Sequence, residues 1–80
     1  MNEEKTKREI ETFCKNIRAL RRHHSLTQRE MAEILDVSVG AVRSLEGGII
    51  PPRMKIDVLI RASRFFKLEI NALLEEKQPS

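Results

Sequence analysis

The chain is 80 residues long, which holds one small core and excludes a large multi-domain enzyme. Hydrophobic residues make up 40% and charged residues 34%, and burial of that much Ile, Leu, Val and Met offsets the ordering entropy, so wholesale disorder is excluded as well. A net charge of +3 permits an acidic partner without demanding one.

Cys14 is the single cysteine, which rules out an intrachain disulfide, a cysteine-based zinc finger and a CxxC redox pair, and fits a reducing cytoplasm. Met1 to Lys5 lack a basic region followed by an apolar stretch, and no apolar run approaches the ~20 residues of a membrane span. The chain therefore reads as soluble, cytoplasmic and without a membrane partner. With three Phe and neither Trp nor Tyr, it offers few faces for stacking on unpaired bases, so duplex DNA is favoured over a single strand.

Taken in chain order, Ile10, Phe13, Cys14, Ile17 and Leu20 form one apolar stripe and predict a first helix from about Thr6 to His24. Arg21 continues that stripe toward the core, where a lone guanidinium is costly, so it demands a carboxylate partner. Ser25-Leu26 breaks the helix, and Thr27 with Glu30 forms a capping box that starts a second one, with Met31, Ala32 and Leu35 inward and a stop near Asp36. Val37 is an anchor and Ser38 a cap. Val42 and Leu45 then point inward from a third short helix that reaches Glu46 and ends at Gly47-Gly48.

Ile49-Ile50-Pro51-Pro52 reads as a loop, because each proline removes a donor and restricts the residue before it. From about Lys55, the set Ile56, Leu59, Ile60, Ala62, Ser63 and Phe66 restores helical spacing. Leu68, Ile70, Leu73 and Leu74 suggest a fifth helix ending by Glu76, and Gln78-Pro79-Ser80 reads as a frayed tail. There is no strand alternation and no repeat. The expectation is an all-α, compact five-helix bundle spanning residues 1–80 as a single domain.

Two short helices joined by about four residues, the second capped by Ser and ended by Gly, match a helix-turn-helix, whose second helix enters the major groove. The run Leu26-Thr27-Gln28-Arg29-Glu30-Met31-Ala32-Glu33-Ile34-Leu35-Asp36-Val37-Ser38, followed by Val42, Leu45-Glu46 and Gly48, resembles the phage repressor and Cro-like (XRE-type) helix-turn-helix family. The resemblance covers a core of about residues 13–75, with Leu20-Arg21 ahead of the motif and Leu59, Ala62, Phe66 and Leu68 behind it. It implies a lambda-repressor-like five-helix DNA-binding domain of a transcriptional regulator acting on duplex DNA, for which repression is the expected direction. Symmetric homodimers, usual in this family, would bind a pseudo-palindromic site with two reading helices about one DNA turn apart.

Residue by residue, the resemblance implies that Gln28 contacts phosphate at the start of the second helix, with Thr27 contributing similarly. Its small residue at Ala32 lets the two helices approach, and its Arg and Glu pair falls on Arg21 and Glu46, a structural ion pair. The base-reading positions fall on Val39, Gly40, Arg43 and Ser44, with Ser38 beside them at the cap. Val39 and Gly40 depart from the usual polar set. Val39 suits a thymine methyl, Gly40 lets backbone approach DNA, and Arg43 suits either guanine or phosphate.

Residues 25–50 hold two basic and four acidic side chains, so the motif itself is net acidic. Phosphate attraction must then come from Arg22, Arg29, Arg53 and Lys55 and from helix N-termini. The same acidity, with Val39 and Gly40, motivates an alternative: a protein-interaction adaptor or antitoxin-like subunit that reuses the fold and takes a protein partner.

Other residues read as structural. His23 and His24 point about 100° apart on a helix and have no third ligand, so no metal site is expected. Cys14 reads as core filling, and Glu9, Glu11, Glu75 and Glu76 as solvated faces. No nucleophile with a base, phosphate loop or cofactor cluster supports an enzyme. Ile49 and Ile50, with Leu68, Ile70 or Leu73, either form a dimer surface or close the core around the proline loop.

Overall fold

Acidic residues at the head of a helix and basic ones at its tail complement the helix dipole, and the first segment of this chain carries both. In the computed structural model, which describes residues 3–76, α1 spans Glu3–His23, with Glu3 and Glu4 in its first turn and Arg21, Arg22 and His23 in its last. Helix is thus present three residues before the expected Thr6. Phe13, Cys14, Ile17 and Leu20 are buried along it. Ile10, expected on the same inward stripe, is 41% exposed. It lies beyond the packed part of α1, at the edge of an apolar groove shared with Ile50 and Ile56.

Thr27 caps α2 (Gln28–Leu35): its hydroxyl accepts from the Glu30 N–H at 3.0 Å, and Glu30 Oε1 accepts from the Thr27 N–H at 2.8 Å. Asp36 ends the helix in the left-handed region (φ 58°), a conformation its short polar side chain tolerates. Its amide bonds back to Ala32 and Glu33. Only Asp36, Val37 and Ser38 then separate α2 from α3 (Val39–Glu46), one residue fewer than expected. Ser38 Oγ accepts from the Ala41 N–H at 3.1 Å. At the far end Gly48 takes φ 88°, which allows the Ile49 amide to reach the Ser44 carbonyl at 2.8 Å.

The proline loop leads into α4 (Asp57–Phe66). Lys55 and Ile56, expected to open this helix, precede it, and Ile56 is 71% exposed at the N-cap. Val58 joins the expected Ala62, one turn away, as the buried pair of the inward face, and Leu59 and Phe66 pack against the core as expected. Lys67 closes α4 in the left-handed region, and α5 (Ile70–Leu73) is a single turn whose Leu73 is fully buried. Gln78, Pro79 and Ser80, read as a frayed tail, lie outside the described residues.

The described residues form five helices and no strand. One core joins them, with Ile17, Met31, Leu35, Val42, Leu45, Ala62 and Leu73 at its centre. Of the residues left open between a dimer surface and the core, Leu73 belongs to the core and Leu68 packs against it, while Ile49, Ile50 and Ile70 are exposed.

Thr12 and Asn16 are buried polar residues on α1 that the apolar spacing does not predict. Asn16 donates through Nδ2 to the carbonyls of Leu73 (2.7 Å) and Glu75 (2.9 Å), satisfying the end of α5 from the middle of α1. A single helical turn this short makes few hydrogen bonds of its own, so this clamp and Leu73 hold it.

Candidate nucleic-acid interface

Val42 and Leu45 are fully buried, and their phase decides what α3 presents to solvent. Ser38, Gly40 and Arg43 are exposed, whereas Val39 and Ser44 are half-buried. Val39 spends part of its surface packing against the core, which leaves less of it for an outside contact. Ser38, Gly40 and Ser44 line an open groove of about 520 Å³ whose other wall is the loop carrying Ile49, Pro51 and Arg53. A Cβ added at Gly40 would meet only Ser38 Oγ, at 3.8 Å, so this glycine is not required by packing within the protein.

Behind this face sits an ion pair. Arg21 Nε donates to Glu46 Oε2 at 2.5 Å and Nη2 donates to Oε1 at 3.0 Å, while Nη1 donates to the Leu26 carbonyl at 2.8 Å. Arg21 is 16% and Glu46 6% exposed at the side chain, so the carboxylate is withdrawn from water on all but this side. Burial alone would raise the Glu46 carboxyl. Hydrogen bonds from Arg21 and Gln28, with the charges of Arg21 and Arg18, more than offset it and hold the group below the ordinary carboxylate value. Arg18 was not singled out from the sequence; it lies outside the inward phase, and only the folded arrangement brings its charge to bear. The same hydrogen bond raises the Arg21 guanidinium further, against its desolvation.

Gln28, the first residue of α2, spans the two helices. Its Nε2 donates to Glu46 Oε1 at 3.2 Å and its Oε1 accepts from Arg43 Nε at 3.4 Å. Thr27 and Arg29 flank it, both exposed, and the Thr27 hydroxyl is already engaged by the cap. Arg53 and Lys55 are exposed on the loop before α4; Arg53 lines the groove beside α3, whereas Lys55 lines the apolar groove that reaches Ile10 of α1.

The remaining sequence candidates fall elsewhere. Cys14 is buried in the core and its thiol is pushed up by desolvation. His23 and His24 stack edge to face, with ring centroids 5.2 Å apart, and His24 also lies 5.0 Å from the Phe66 ring. Among the described residues no group of three or more His, Cys, Asp or Glu is placed to hold a metal, and no helix is long and apolar enough to cross a membrane.

A pair of short capped helices set by a three-residue turn, the second resting on a core through Val42 and Leu45 and open on its other side, defines a DNA-binding helix-turn-helix domain. Residues 17–73 match the helix-turn-helix family of the phage repressor and Cro type, and the chain belongs to that family. The match starts inside α1, so the first part of that helix lies outside it. No curated protein and no solved structure matches the chain.

Proposed function

We propose that this protein is a sequence-specific transcriptional repressor that binds duplex DNA as a homodimer, with residues 38–46 of each protomer in the major groove of a pseudo-palindromic half-site. The observation that carries the reading is the outward face of α3, where Arg43 is exposed beside a glycine that packing within the protein does not require and beside the capped N-terminus of α2. Arg43 and Ser44 supply hydrogen bonds to base edges, and Val39 contributes what remains exposed of its methyls to thymine. Ser38 and Gly40 let the backbone approach, while Thr27, Gln28, Arg29, Arg53 and Lys55 fix the docking register on phosphates. Exposed Ile49, Ile50 and Ile70 supply apolar surface for the second protomer.

The test is selection of binders from a random duplex pool, then titration of the best duplex and a scrambled one at two salt concentrations. A two-fold symmetric motif that keeps its advantage at the higher salt supports the proposal. Arg43→Ala with Ser44→Ala then abolishes preference for that motif while circular dichroism melting stays close to the parent. Unchanged preference would sink the assignment of the reading helix. No enrichment at all would transfer the helix pair to a protein partner, the adaptor reading motivated by the net acidic motif.

A further inference from the structure

The ion pair behind α3 and the cation in front of it are joined by one side chain. Glu46 Oε1 takes hydrogen bonds from Arg21 Nη2 and from Gln28 Nε2. A carboxylate only accepts, so it compels the Gln28 amide to turn its nitrogen inward and its oxygen outward. That oxygen is where the Arg43 Nε–H points, at 3.4 Å. Had the amide been reversed, its NH₂ would have opposed the guanidinium, donor against donor. The core-facing pair therefore decides what Arg43 meets.

The atom used is the second half of the argument. The Gln28 contact occupies Nε and leaves Nη1 and Nη2 of Arg43 unengaged among the described residues. Those two nitrogens form the parallel fork that matches O6 and N7 of guanine, and a guanidinium held at Nε has fewer rotamers in which to present it. Resting on the major-groove reading of α3, we propose that Gln28 is a positioning residue for base recognition: through Oε1 it aims the Arg43 fork at a guanine, in addition to any contact its remaining N–H makes with phosphate. A residue that only touched phosphate would leave sequence preference alone, whereas a residue that aims Arg43 changes preference at one base pair.

The test compares parent, Gln28→Met, Arg43→Ala and the double variant on the selected duplex and on each single-base-pair variant of it, by fluorescence anisotropy. Met keeps the length and helix propensity of Gln without its polar ends. Arg43→Ala identifies the guanine that Arg43 reads. Gln28→Met is expected to lower discrimination at that same base pair by about fivefold, the size of one ordinary net hydrogen bond, beyond any loss common to all duplexes. In the Arg43→Ala background, Gln28→Met should leave discrimination there unchanged. In the free protein, Gln28→Met should shift the Arg43 Nε–H resonance, which a phosphate-only role would not move. Equal discrimination by parent and Gln28→Met at every base pair overturns the positioning role, as does an Arg43→Ala variant that relaxes no guanine. A parent chain with no preferred duplex overturns the major-groove reading itself, so the two failures are told apart by the parent's own titration.

Discussion

Glu46 is the residue on which stability and site geometry meet. Its carboxylate is nearly withdrawn from water and accepts from Arg21 twice and from Gln28 once. Removing one partner of such a pair costs more than the pair contributes, because the other charge remains in the protein without its counter-ion. Glu46→Ala is therefore expected to lower unfolding stability by about 3 kcal/mol, the lower end for a buried pair, since Arg21 keeps its bond to the Leu26 carbonyl. Urea denaturation measures it, and a loss below about 1 kcal/mol would place the pair with ordinary surface pairs. The pH dependence has a fixed sign. Glu46 titrates lower in the folded chain than in the unfolded one, so its contribution is complete above the ordinary carboxylate value of about 4.3 and is lost as pH falls through the lowered folded value. Glu46→Gln lacks that component. The stability gap between parent and Glu46→Gln should thus be widest near neutrality and narrow in acid.

At the scale of the element, α3 contains a glycine whose presence its own packing does not explain. Gly40 is the second residue of α3, in its first turn, where glycine costs less than the ~1 kcal/mol of a helix interior, and an added Cβ would find only the Ser38 hydroxyl at ordinary contact distance. Gly40→Ala should raise unfolding stability by up to about 0.5 kcal/mol in thermal or urea melts. If the backbone of α3 approaches DNA at this point, the same variant weakens binding to the selected duplex at least several-fold, a split between stability and affinity that neither effect alone produces. A variant that is more stable and binds equally well would remove Gly40 from the interface. The helix ends of this motif were legible because they are written in local chemistry: Thr27 with Glu30, Ser38, and Gly47-Gly48 each satisfy backbone groups within a few residues. Ile10 and Ile56 were misjudged for the opposite reason. Their periodicity is helical, but whether an inward phase is covered depends on how far the neighbouring helices reach, which is tertiary information. Asn16 escaped notice since a polar residue inside an apolar stripe shows its purpose only when the end of α5 arrives against it, 57 residues along the chain. In the candidate site, the phase of Val42 and Leu45 separated the outward from the inward face of α3, whereas the Gln28 bridge requires distances between helices that periodicity does not encode.

At the scale of the whole molecule, the distribution of charge governs how DNA is approached. The excess positive charge is carried outside the motif, because residues 25–50 hold four acidic and two basic side chains. Glu46 is neutralised by Arg21, and Asp36 lies 3.5 Å from Arg61 on the α4 side, so the acidity that faces away from these pairs is Glu30 and Glu33. Attraction to phosphate then falls to Arg29, Arg53 and Lys55, which are exposed on α2 and on the loop before α4. Each phosphate neutralised by a cation releases counter-ions and contributes about −0.9 to the slope of log affinity against log salt. A homodimer engaging these three cations from each protomer should show a slope of roughly −5, and a single protomer roughly −3. Arg53→Ala should then reduce the slope by about 2 in a dimer and by about 1 in a monomer, weakening the selected and scrambled duplexes alike. The change in slope therefore reports how many copies sit on the site, independently of any hydrodynamic measurement. A slope that Arg53→Ala leaves unchanged would remove Arg53 from the DNA backbone and leave Arg29 and Lys55 to dock the reading helix.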